Sequence, residues 1–253
     1  MEGGTEVKAI ILGAGYGTRL YPLTKNTPKP LLTVGGKPIL EHILEKVGQV
    51  PAVDHVLVVT NDRFVSHFET WRQSFSWDKP IDVLNDGTTT NDNRLGAVGD
   101  IYFALKQREI RDEVLVVGGD NLFEFDLSKA WGFFQDKGSS IVGLYDMVDK
   151  NKVAGLYGVV SIDEFSKIVE FAEKPKNPKT ALISTALYFL TVGDLDTLRS
   201  YIEQGQRADN LGDFIRYLID HQDVYGYVFR ENWFDIGSFE QYEQANAYFS
   251  TLS

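Results

Sequence analysis

The chain has 253 residues, of which 43% are hydrophobic and 24% are charged, and it contains no cysteine. This length suits one large α/β domain or two small ones. The composition is typical of a folded globular protein, and the lack of cysteine excludes disulfides and cysteine-ligated zinc. The apolar runs are too short to cross a membrane, and the acidic start at Glu2 and Glu6 does not resemble a secretory signal. We therefore expect a cytoplasmic protein with no membrane partner.

The net charge of the chain is −11, which argues against a nucleic-acid partner. The charge is unevenly distributed, because residues 1–40 carry five lysines and arginines against two glutamates. A locally basic segment in an acidic chain suits a small anionic ligand. A chance fluctuation in surface charge explains the same observation equally well.

Short β-branched apolar runs alternate with amphipathic segments in the first half, which predicts an α/β fold with a mostly parallel sheet. The predicted strands there are 7–12, 55–59, 81–84 and 113–117, and the predicted helices are 39–47, 64–75 and 97–106. The second half has strands with few helices between them, which predicts a smaller, partly antiparallel lobe. Its predicted strands are 139–145, 157–162, 168–171, 183–190 and 224–229, and its predicted helices are 192–203, 211–221 and 239–248.

A glycine-rich loop follows the first strand and reads GAGYGTRLYPLTKNTPKPLLTVGGKP over residues 13–38. Gly13, Gly15 and Gly17 leave room for backbone N–H groups to approach phosphates closely. Arg19 and Lys29 can donate charge-assisted hydrogen bonds to phosphate oxygens. The prolines between them stiffen the loop, so the spacing favours a phosphate-binding loop over a glycine-rich turn without a ligand.

Two better-known phosphate motifs do not fit this loop. A dinucleotide fingerprint requires a third glycine where Thr18 stands. A P-loop requires Ser or Thr after Gly-Lys, and here Gly36 and Lys37 are followed by Pro38.

The string GxGTRLxPxT…PKPLLxxxxKP resembles the N-terminal motif of the sugar-1-phosphate nucleotidyltransferases, which include glucose-1-phosphate thymidylyl- and uridylyltransferases. The resemblance extends from Val7 to about Tyr248. It implies a Rossmann-like three-layer α/β/α nucleotidyltransferase fold with a mixed, mostly parallel central sheet and a smaller acceptor-binding lobe. It also implies transfer from a nucleoside triphosphate, dTTP or UTP, to a sugar 1-phosphate with release of pyrophosphate.

The resemblance implies a role for each residue of the motif. Arg19 and Lys29 would be catalytic, through the charge that they place on the reacting phosphates. The family usually has Ala-Gly-Gly or Ala-Ala-Gly where this chain has Gly-Ala-Gly, which is a mild departure. The implied nucleotide-binding residues are Leu12, Gly13, Ala14, Gly15, Gly17, Thr18, Arg94 and Gly96.

Two aspartates stand at the ends of predicted strands, Asp120 in VLVVGGDN and Asp235 in NWFDIGS. Ligands gather at the carboxyl ends of strands in open α/β sheets. Mg²⁺ needs only one or two protein carboxylates when phosphates and water complete its shell. Each aspartate alone is equally a turn or capping residue, but both contexts resemble the metal-binding positions of the family, which implies Mg²⁺ as the cofactor.

The acceptor-binding region carries weaker motifs. Through the resemblance, Gly158 in YGV faces the sugar, Glu173 binds sugar hydroxyls, and Lys174 binds the acceptor phosphate. Tyr188 belongs to the string STALY, where relatives usually have Asn/Thr-Gly-Ile/Leu-Tyr. Ala186 therefore replaces a glycine, which leaves the identity of the sugar open. From the residues alone, the Glu-Lys pair is also an ordinary solvated charge pair.

The loop over residues 86–96 occupies the region where relatives bind the base, often with a glutamine that this chain lacks. We hypothesise that Asn91, Asn93 or Arg94 influences the choice of base or the contact with phosphate. An ordered polar turn with no ligand is the equal alternative. Alanine variants of all three residues with an unchanged nucleotide preference would contradict the hypothesis.

Three other functions remain open. One is a cytidylyltransferase for a sugar phosphate or for inositol or choline phosphate, and another is a sensor of nucleotide sugars without activity. A glycosyltransferase would typically carry Asp-x-Asp, and the first acid is missing before Asp120. We predict a single domain over 1–253, with a nucleotide-binding lobe to about 125, an acceptor-binding lobe after it, and no left-handed β-helix domain. Family members often form oligomers, so a homo-oligomer is an open alternative.

Overall fold

The computed structural model describes residues 6–252. Glu2, on which part of the argument against a secretory signal rests, lies outside these residues, as does Ser253. Within the described residues, every helix is too short or too polar to cross a membrane.

The strands and α-helices follow one another along the whole described chain. The strands are β1 (Val7–Leu12), β2 (Thr33–Val34), β3 (Lys37–Pro38), β4 (Val53–Thr60), β5 (Ile81–Asn85), β6 (Glu113–Gly118), β7 (Asn121–Phe123), β8 (Ile141–Asp146), β9 (Gly158–Ile162), β10 (Ile168–Glu173), β11 (Leu182–Leu190), β12 (Tyr225–Phe229) and β13 (Trp233–Asp235). The helices are α1 (Ile39–Val47), α2 (Val65–Ser74), α3 (Ala97–Gln107), α4 (Leu127–Lys137), α5 (Val192–Glu203), α6 (Leu211–Ile219) and α7 (Phe239–Ser250).

A central sheet of nine strands joins the two halves of the chain. Strands β5, β4, β1 and β6 lie side by side and run parallel. Strand β11 then pairs antiparallel with β6 and continues the sheet to β9, β10 and β8. The last strand of this sheet in chain order, β12, runs parallel to β8. The sheet is therefore mixed and mostly parallel in its first half, as predicted.

Helices cover both faces of this sheet. Successive residues of β1 point to opposite faces, as they must in a strand. Ala9 and Ile11 pack in one apolar layer with α1, α2 and α4, whereas Ile10 packs in the other layer with α3, α5 and α6. This confirms the predicted three-layer α/β/α fold.

Helix α4 and two strand pairings, β2 with β3 and β7 with β13, are absent from the sequence prediction. Helix α4 begins after Asp126, whose side chain accepts a hydrogen bond from the N–H of Ser128, and it ends at the left-handed Gly138. Strands β7 and β13 form a separate two-stranded antiparallel ladder between segments far apart in the sequence. Hydrophobic periodicity could not reveal that pairing, because each strand has only three residues.

The carboxyl ends of the parallel strands meet at one edge of the sheet. Leu12, the last residue of β1, pairs with Gly118, the last residue of β6. The glycine-rich loop leaves the sheet at the first of these residues, and Asp120 follows the second. Parallel sheets place ligand sites at this edge, and the fold therefore gathers the predicted site residues there.

Candidate active site

A cleft of about 500 Å³ opens at this edge of the sheet. Its wall contains most of the residues that the sequence predicts. On the nucleotide side these are Leu12, Ala14, Gly15, Arg19, Arg94 and Gly96. Toward the second half of the chain they are Asp120, Gly158, Glu173, Lys174, Tyr188 and Asp235. The remaining predicted residues, Gly13, Gly17, Thr18 and Lys29, lie outside the wall.

The three glycines of the loop have different reasons to lack a side chain. A methyl group on Gly13 would stand 3.0 Å from the carbonyl oxygen of Val59. Gly17 adopts a left-handed φ of 59°, and a methyl group there would stand 3.0 Å from Thr24. A methyl group on Gly15 would meet no atom within 4 Å, although Gly15 lies in the cleft wall. Packing therefore requires glycine at positions 13 and 17. Of the three, only Gly15 has open space beside it for a ligand.

The two predicted metal-binding aspartates lie next to each other because β7 and β13 pair. Asp235 stands opposite Asn121 in this ladder, which places it beside Asp120. The N–H of Ile236 donates to the carbonyl oxygen of Asp120 at 3.0 Å, which fixes the end of the ladder. Two aspartates far apart in the sequence, Asp120 and Asp235, thus form one acidic point in the cleft.

The carboxylate of Asp120 is held by two neighbours. Nζ of Lys29 donates to its Oδ2 at 2.7 Å, and Nδ2 of Asn121 donates to its Oδ1 at 2.9 Å. Asn121 in turn accepts a hydrogen bond from the indole N–H of Trp233. Burial opposes ionisation of Asp120, but the Lys29 ammonium and these hydrogen bonds lower its pKa below the usual value. Asp120 is therefore an oriented, ionised carboxylate.

The pKa of Asp235 shifts in the opposite direction from that of Asp120. Burial and the negative charge of Asp120 raise its pKa to about 6, and the positive charges of Lys29 and Arg19 offset only part of that increase. The terminal nitrogens of Arg19 lie near Gly237, 3.7 Å from where a methyl group on that residue would stand. The acidic point thus carries two carboxylates beside two cations, and burial disfavours the ionised form of Asp235.

The acceptor side of the cleft is built on β9, β10 and β11. Lys174 adopts a left-handed φ of 43°, and its Nζ stands 3.9 Å from Oε1 of Glu173. Burial raises the pKa of Glu173. The hydroxyl of Tyr188 stands 3.3 Å from Oγ of Ser184, and burial raises the pKa of Tyr188 to about 12. A methyl group on Gly158 would stand 2.7 Å from the ring of Phe171, so packing already requires this glycine.

Arg94 and Gly96 line the cleft and also contact the segment that precedes α6. Arg94 forms a two-pronged ion pair with Asp209, with distances of 3.2 and 3.1 Å. A methyl group on Gly96 would stand 2.4 Å from Cα of Asp209. Asn91 and Asn93 lie outside the cleft wall, and Oδ1 of Asn93 instead accepts from the N–H of Thr90 at 2.9 Å.

Comparison with known proteins identifies the family. The chain matches the family model described as nucleotidyl transferase over residues 8–251. The chain belongs to the nucleotidyl transferase family. The match covers the glycine-rich loop, both aspartates and the acceptor side of the cleft.

Individual relatives of this nucleotidyl transferase are similar over almost its whole length. It is 33% identical to the bifunctional protein GlmU of Methanocaldococcus jannaschii, over 95% of this chain and 53% of the relative. It is 30% identical to a UTP–glucose-1-phosphate uridylyltransferase of Synechocystis, over 94% of this chain and 62% of the relative. The chain thus spans about half the length of the first curated relatives that it matches.

A solved structure is also similar to the nucleotidyl transferase. It is described as a glucose-1-phosphate thymidylyltransferase from Bacillus anthracis in complex with a sucrose, and it superposes with a TM-score of 0.81 at 25% identity. The superposition covers 98% of this chain and 96% of the other.

Several residues in the cleft of this nucleotidyl transferase were missed from the sequence. They include Asp100 of α3, Trp233 of β13 and the segment 209–212. Asp100 had a detectable signal, because it is an acid among the apolar residues that α3 buries. Trp233 and the segment 209–212 gave no such signal, because tertiary pairing alone brings them to the cleft.

Proposed function

We propose that this chain transfers a nucleotidyl group from a nucleoside triphosphate, dTTP or UTP, to a sugar 1-phosphate, forming a nucleotide sugar and pyrophosphate. The proposal rests above all on one observation. Asp120 and Asp235, accompanied by Lys29 and Arg19, share a single cleft with Lys174. Such a cleft offers charge for a triphosphate at one end and for an acceptor phosphate at the other. Relatives named for uridylyl and thymidylyl transfer agree with these bases, and relatives named for adenylyl and guanylyl transfer are the reason to test all five triphosphates.

The proposed reaction needs no general base. The acceptor phosphate is already an anion at neutral pH, and one of its oxygens attacks the α-phosphorus. The bond from this phosphorus to the acceptor oxygen forms as its bond to pyrophosphate breaks, in line. None of the four histidines lies in the cleft wall of the described chain, which fits this chemistry.

The protein would then contribute position and charge. Gly15 leaves backbone N–H groups accessible to the triphosphate, and Arg19 binds its phosphates. Lys174 binds the acceptor phosphate, and Glu173 binds sugar hydroxyls. Lys29 stabilises and orients Asp120, because its ammonium contacts that carboxylate.

The aspartate pair suits Mg²⁺. Among the described residues, no group of three or more acidic, histidine or cysteine side chains could hold a metal. Mg²⁺ binds through one or two carboxylates together with phosphate oxygens and water, so Asp120 and Asp235 would suffice. Burial and the charge of Asp120 raise the pKa of Asp235, so a cation bound at the pair would favour its ionised form. Mg²⁺ bound there would neutralise negative charge on the phosphate oxygens.

A panel assay of pyrophosphate release tests the proposal. The wild-type chain is incubated with each of dTTP, UTP, CTP, ATP and GTP against several sugar 1-phosphates, choline phosphate and inositol phosphate. We expect release with a sugar 1-phosphate and dTTP or UTP, and none after divalent cations are removed with a chelator. Asp120→Asn and Asp235→Asn should each lower turnover roughly 100-fold or more, as for loss of one preorganised charged group.

Other outcomes of the panel would replace the proposal. Release with CTP and a non-sugar phosphate would identify a cytidylyltransferase. Binding of nucleotide sugars without release from any pair would identify a sensor. The control variant Asp136→Asn removes the same charge from the exposed side of α4, outside the cleft wall, and should leave turnover unchanged. We also propose a cytoplasmic location, and sedimentation of the purified chain would determine whether it forms a homo-oligomer.

A further inference from the structure

Strand β11 contains a bulge beside the cleft. Its pairing with β8 shifts register between Ser184 and Tyr188. In this interval three residues of β11, 185–187, stand opposite a single residue of β8, Gly143. Bulges are frequent next to active sites, where they redirect a side chain. Both ends of this bulge and its first two residues line the cleft, so the irregularity belongs to the acceptor side of the site.

Thr185 holds the bulge in place. Its side chain is buried, and its hydroxyl donates to the carbonyl oxygen of Gly143 at 2.9 Å. A methyl group on Gly143 would stand 3.0 Å from that hydroxyl oxygen and 3.2 Å from Leu187. At the other edge of β11, Leu187 pairs with Val117 of β6. Contacts on both edges therefore fix the bulge, and Thr185 is a positioning residue for Ala186, which follows it.

Ala186 lies at the centre of the bulge and covers the end of β6. A methyl group on Gly118 would stand 2.7 Å from Cβ of Ala186, so the alanine occupies the space that a side chain at position 118 would need. Gly118 is buried, whereas Ala186 is half-buried and lines the cleft. The methyl group of Ala186 is therefore the surface that a ligand meets there. It can act only through its size, because it neither donates nor accepts a hydrogen bond.

Ala186 and Gly118 together form a floor that adjoins the acidic point. The same methyl position on Gly118 is 3.2 Å from Oδ1 of Asp120. In the proposed reaction the acceptor phosphate lies between the acidic point and Lys174, and it is attached to C1 of the sugar. Of the two ring atoms bonded to C1, the ring oxygen carries no substituent and C2 carries one. The substituent on C2 is therefore the part of the sugar that a methyl group in this floor would limit.

We propose that Ala186, directed into the cleft by the bulge, restricts the acceptor to sugar 1-phosphates whose substituent at C2 is no larger than a hydroxyl group. This inference rests on the proposed function and adds a specificity-determining residue to it. A pocket discriminates a difference of one methylene group by about 10- to 200-fold, so a single methyl group in the floor suffices for this selection. An acetamido group at C2 is larger than a hydroxyl by several atoms and should be selected against.

Acceptor preference in variants of Ala186 tests the inference. Values of kcat/KM are measured with the preferred triphosphate for glucose and galactose 1-phosphates and for their 2-acetamido forms, which differ from them only at C2. Wild type should prefer the hydroxyl form at least about tenfold, and Ala186→Gly should reduce this ratio about tenfold. Ala186→Ser keeps a side chain in the floor and should keep the ratio within about threefold. Ala172→Gly makes the glycine exchange at a half-buried position of β10 outside the cleft wall and should leave the ratio unchanged.

Variants of Thr185 test the bulge itself. Thr185→Val keeps the shape of the side chain but loses the hydroxyl that donates to Gly143, so the ratio should fall as it does in Ala186→Gly. Thr185→Ser keeps the hydroxyl and should keep the ratio. Thermal unfolding identifies a Thr185→Val chain that fails to fold, and Ala186→Gly then decides alone. If Ala186→Gly loses the same factor with both members of each pair, the residue only supports the fold and the inference is wrong.

The inference can fail separately from the proposed function. Pyrophosphate release that favours a 2-acetamido sugar in wild type would support nucleotidyl transfer and overturn the inference. If wild type releases no pyrophosphate with any pair, the proposed function fails, and calorimetry with UDP-glucose and UDP-N-acetylglucosamine then tests Ala186 directly. Wild type should bind UDP-glucose at least about tenfold more tightly, and Ala186→Gly should remove most of that difference. Equal affinities, no binding of either probe, or an unchanged preference in the variant would overturn the inference.

Discussion

The ammonium of Lys29 stands 2.7 Å from Oδ2 of Asp120 and forms an ion pair with it at the end of β6. The lysine side chain has an exposed fraction of only 13%, and it lies outside the cleft wall. Lys29, the basic residue of the sequence Pro28-Lys29-Pro30, therefore acts on the cleft through Asp120, which it contacts. Because Asp235 adjoins the same carboxylate, this one cation compensates part of the charge of both acids.

We expect Lys29→Ala to reduce kcat/KM by roughly 100- to 1000-fold, the usual size for one preorganised charged group. Without the ammonium, Asp120 loses its orienting donor and two buried carboxylates remain with less compensating charge. Steady-state release of pyrophosphate measures the effect. Lys25→Ala removes an exposed cation of the same loop and should have little effect. Near-wild-type turnover of Lys29→Ala would contradict the role.

Gly15 and Gly17 should respond differently to alanine. Gly15→Ala should unfold at the wild-type temperature and bind triphosphate about tenfold more weakly, because its methyl group meets only the ligand. Gly17→Ala should lose about 1–2 kcal/mol of stability, because a left-handed backbone is costly for alanine and Thr24 is close. Thermal unfolding and calorimetry separate the two effects. A destabilised Gly15→Ala with normal binding would contradict this assignment.

Gly96→Ala should loosen the segment before α6. Its methyl group would stand 2.4 Å from Cα of Asp209, so the segment must move and the ion pair of Asp209 with Arg94 should weaken. We expect a loss of about 1–3 kcal/mol in the free energy of unfolding, as for other overpacked sites. Chemical denaturation measures it. Gly132→Ala, within α4, where no atom lies within 4 Å of the added methyl group, is the control without a steric contact and should not be destabilised.

The stability of the chain should depend on pH through Asp100. In the folded protein its pKa is about 8, whereas the ordinary value is 3.8. Between these values the folded state binds more protons than the unfolded state, so the stability that Asp100 contributes falls as pH rises.

Asp100→Asn cannot ionise and lacks this dependence. Its free energy of unfolding, relative to wild type, should rise by up to about 5 kcal/mol between pH 4 and pH 8, at 1.36 kcal/mol per pKa unit. Urea unfolding of both proteins at several pH values measures the difference, in which carboxyl groups remote from Asp100 cancel and the neighbouring Asp86 titrates together with Asp100. A difference that stays constant with pH would show that Asp100 is ionised throughout.

The sequence predicted most features that depend on local pattern. Strand β1 and helix α1 have the predicted bounds, because apolar periodicity and flanking glycine and proline define them. The roles of Asp120 and Asp235 as a pair could be expected only from the family resemblance, since their proximity depends on the short ladder between β7 and β13.

Features that depend on tertiary contacts could not be predicted from the sequence. The PKP motif indicated a cation for phosphate, and no pattern indicated that Lys29 would contact Asp120. Arg94 was a candidate for base or phosphate contact, yet it pairs with Asp209, more than a hundred residues further along the chain. Asp100 fell within a correctly predicted helix, and only the facing sheet determines that it borders the cleft.

The ladder of β7 and β13 also sets the order in which this protein can acquire its chemistry during synthesis. A ribosome releases Asp120 more than a hundred residues before it releases Asp235 and its strand. The nascent chain can therefore contain the parallel strands β1, β4, β5 and β6 together with Asp120 before Asp235 has been synthesised. Nucleotides that meet a partly synthesised copy would find a pocket without its second carboxylate.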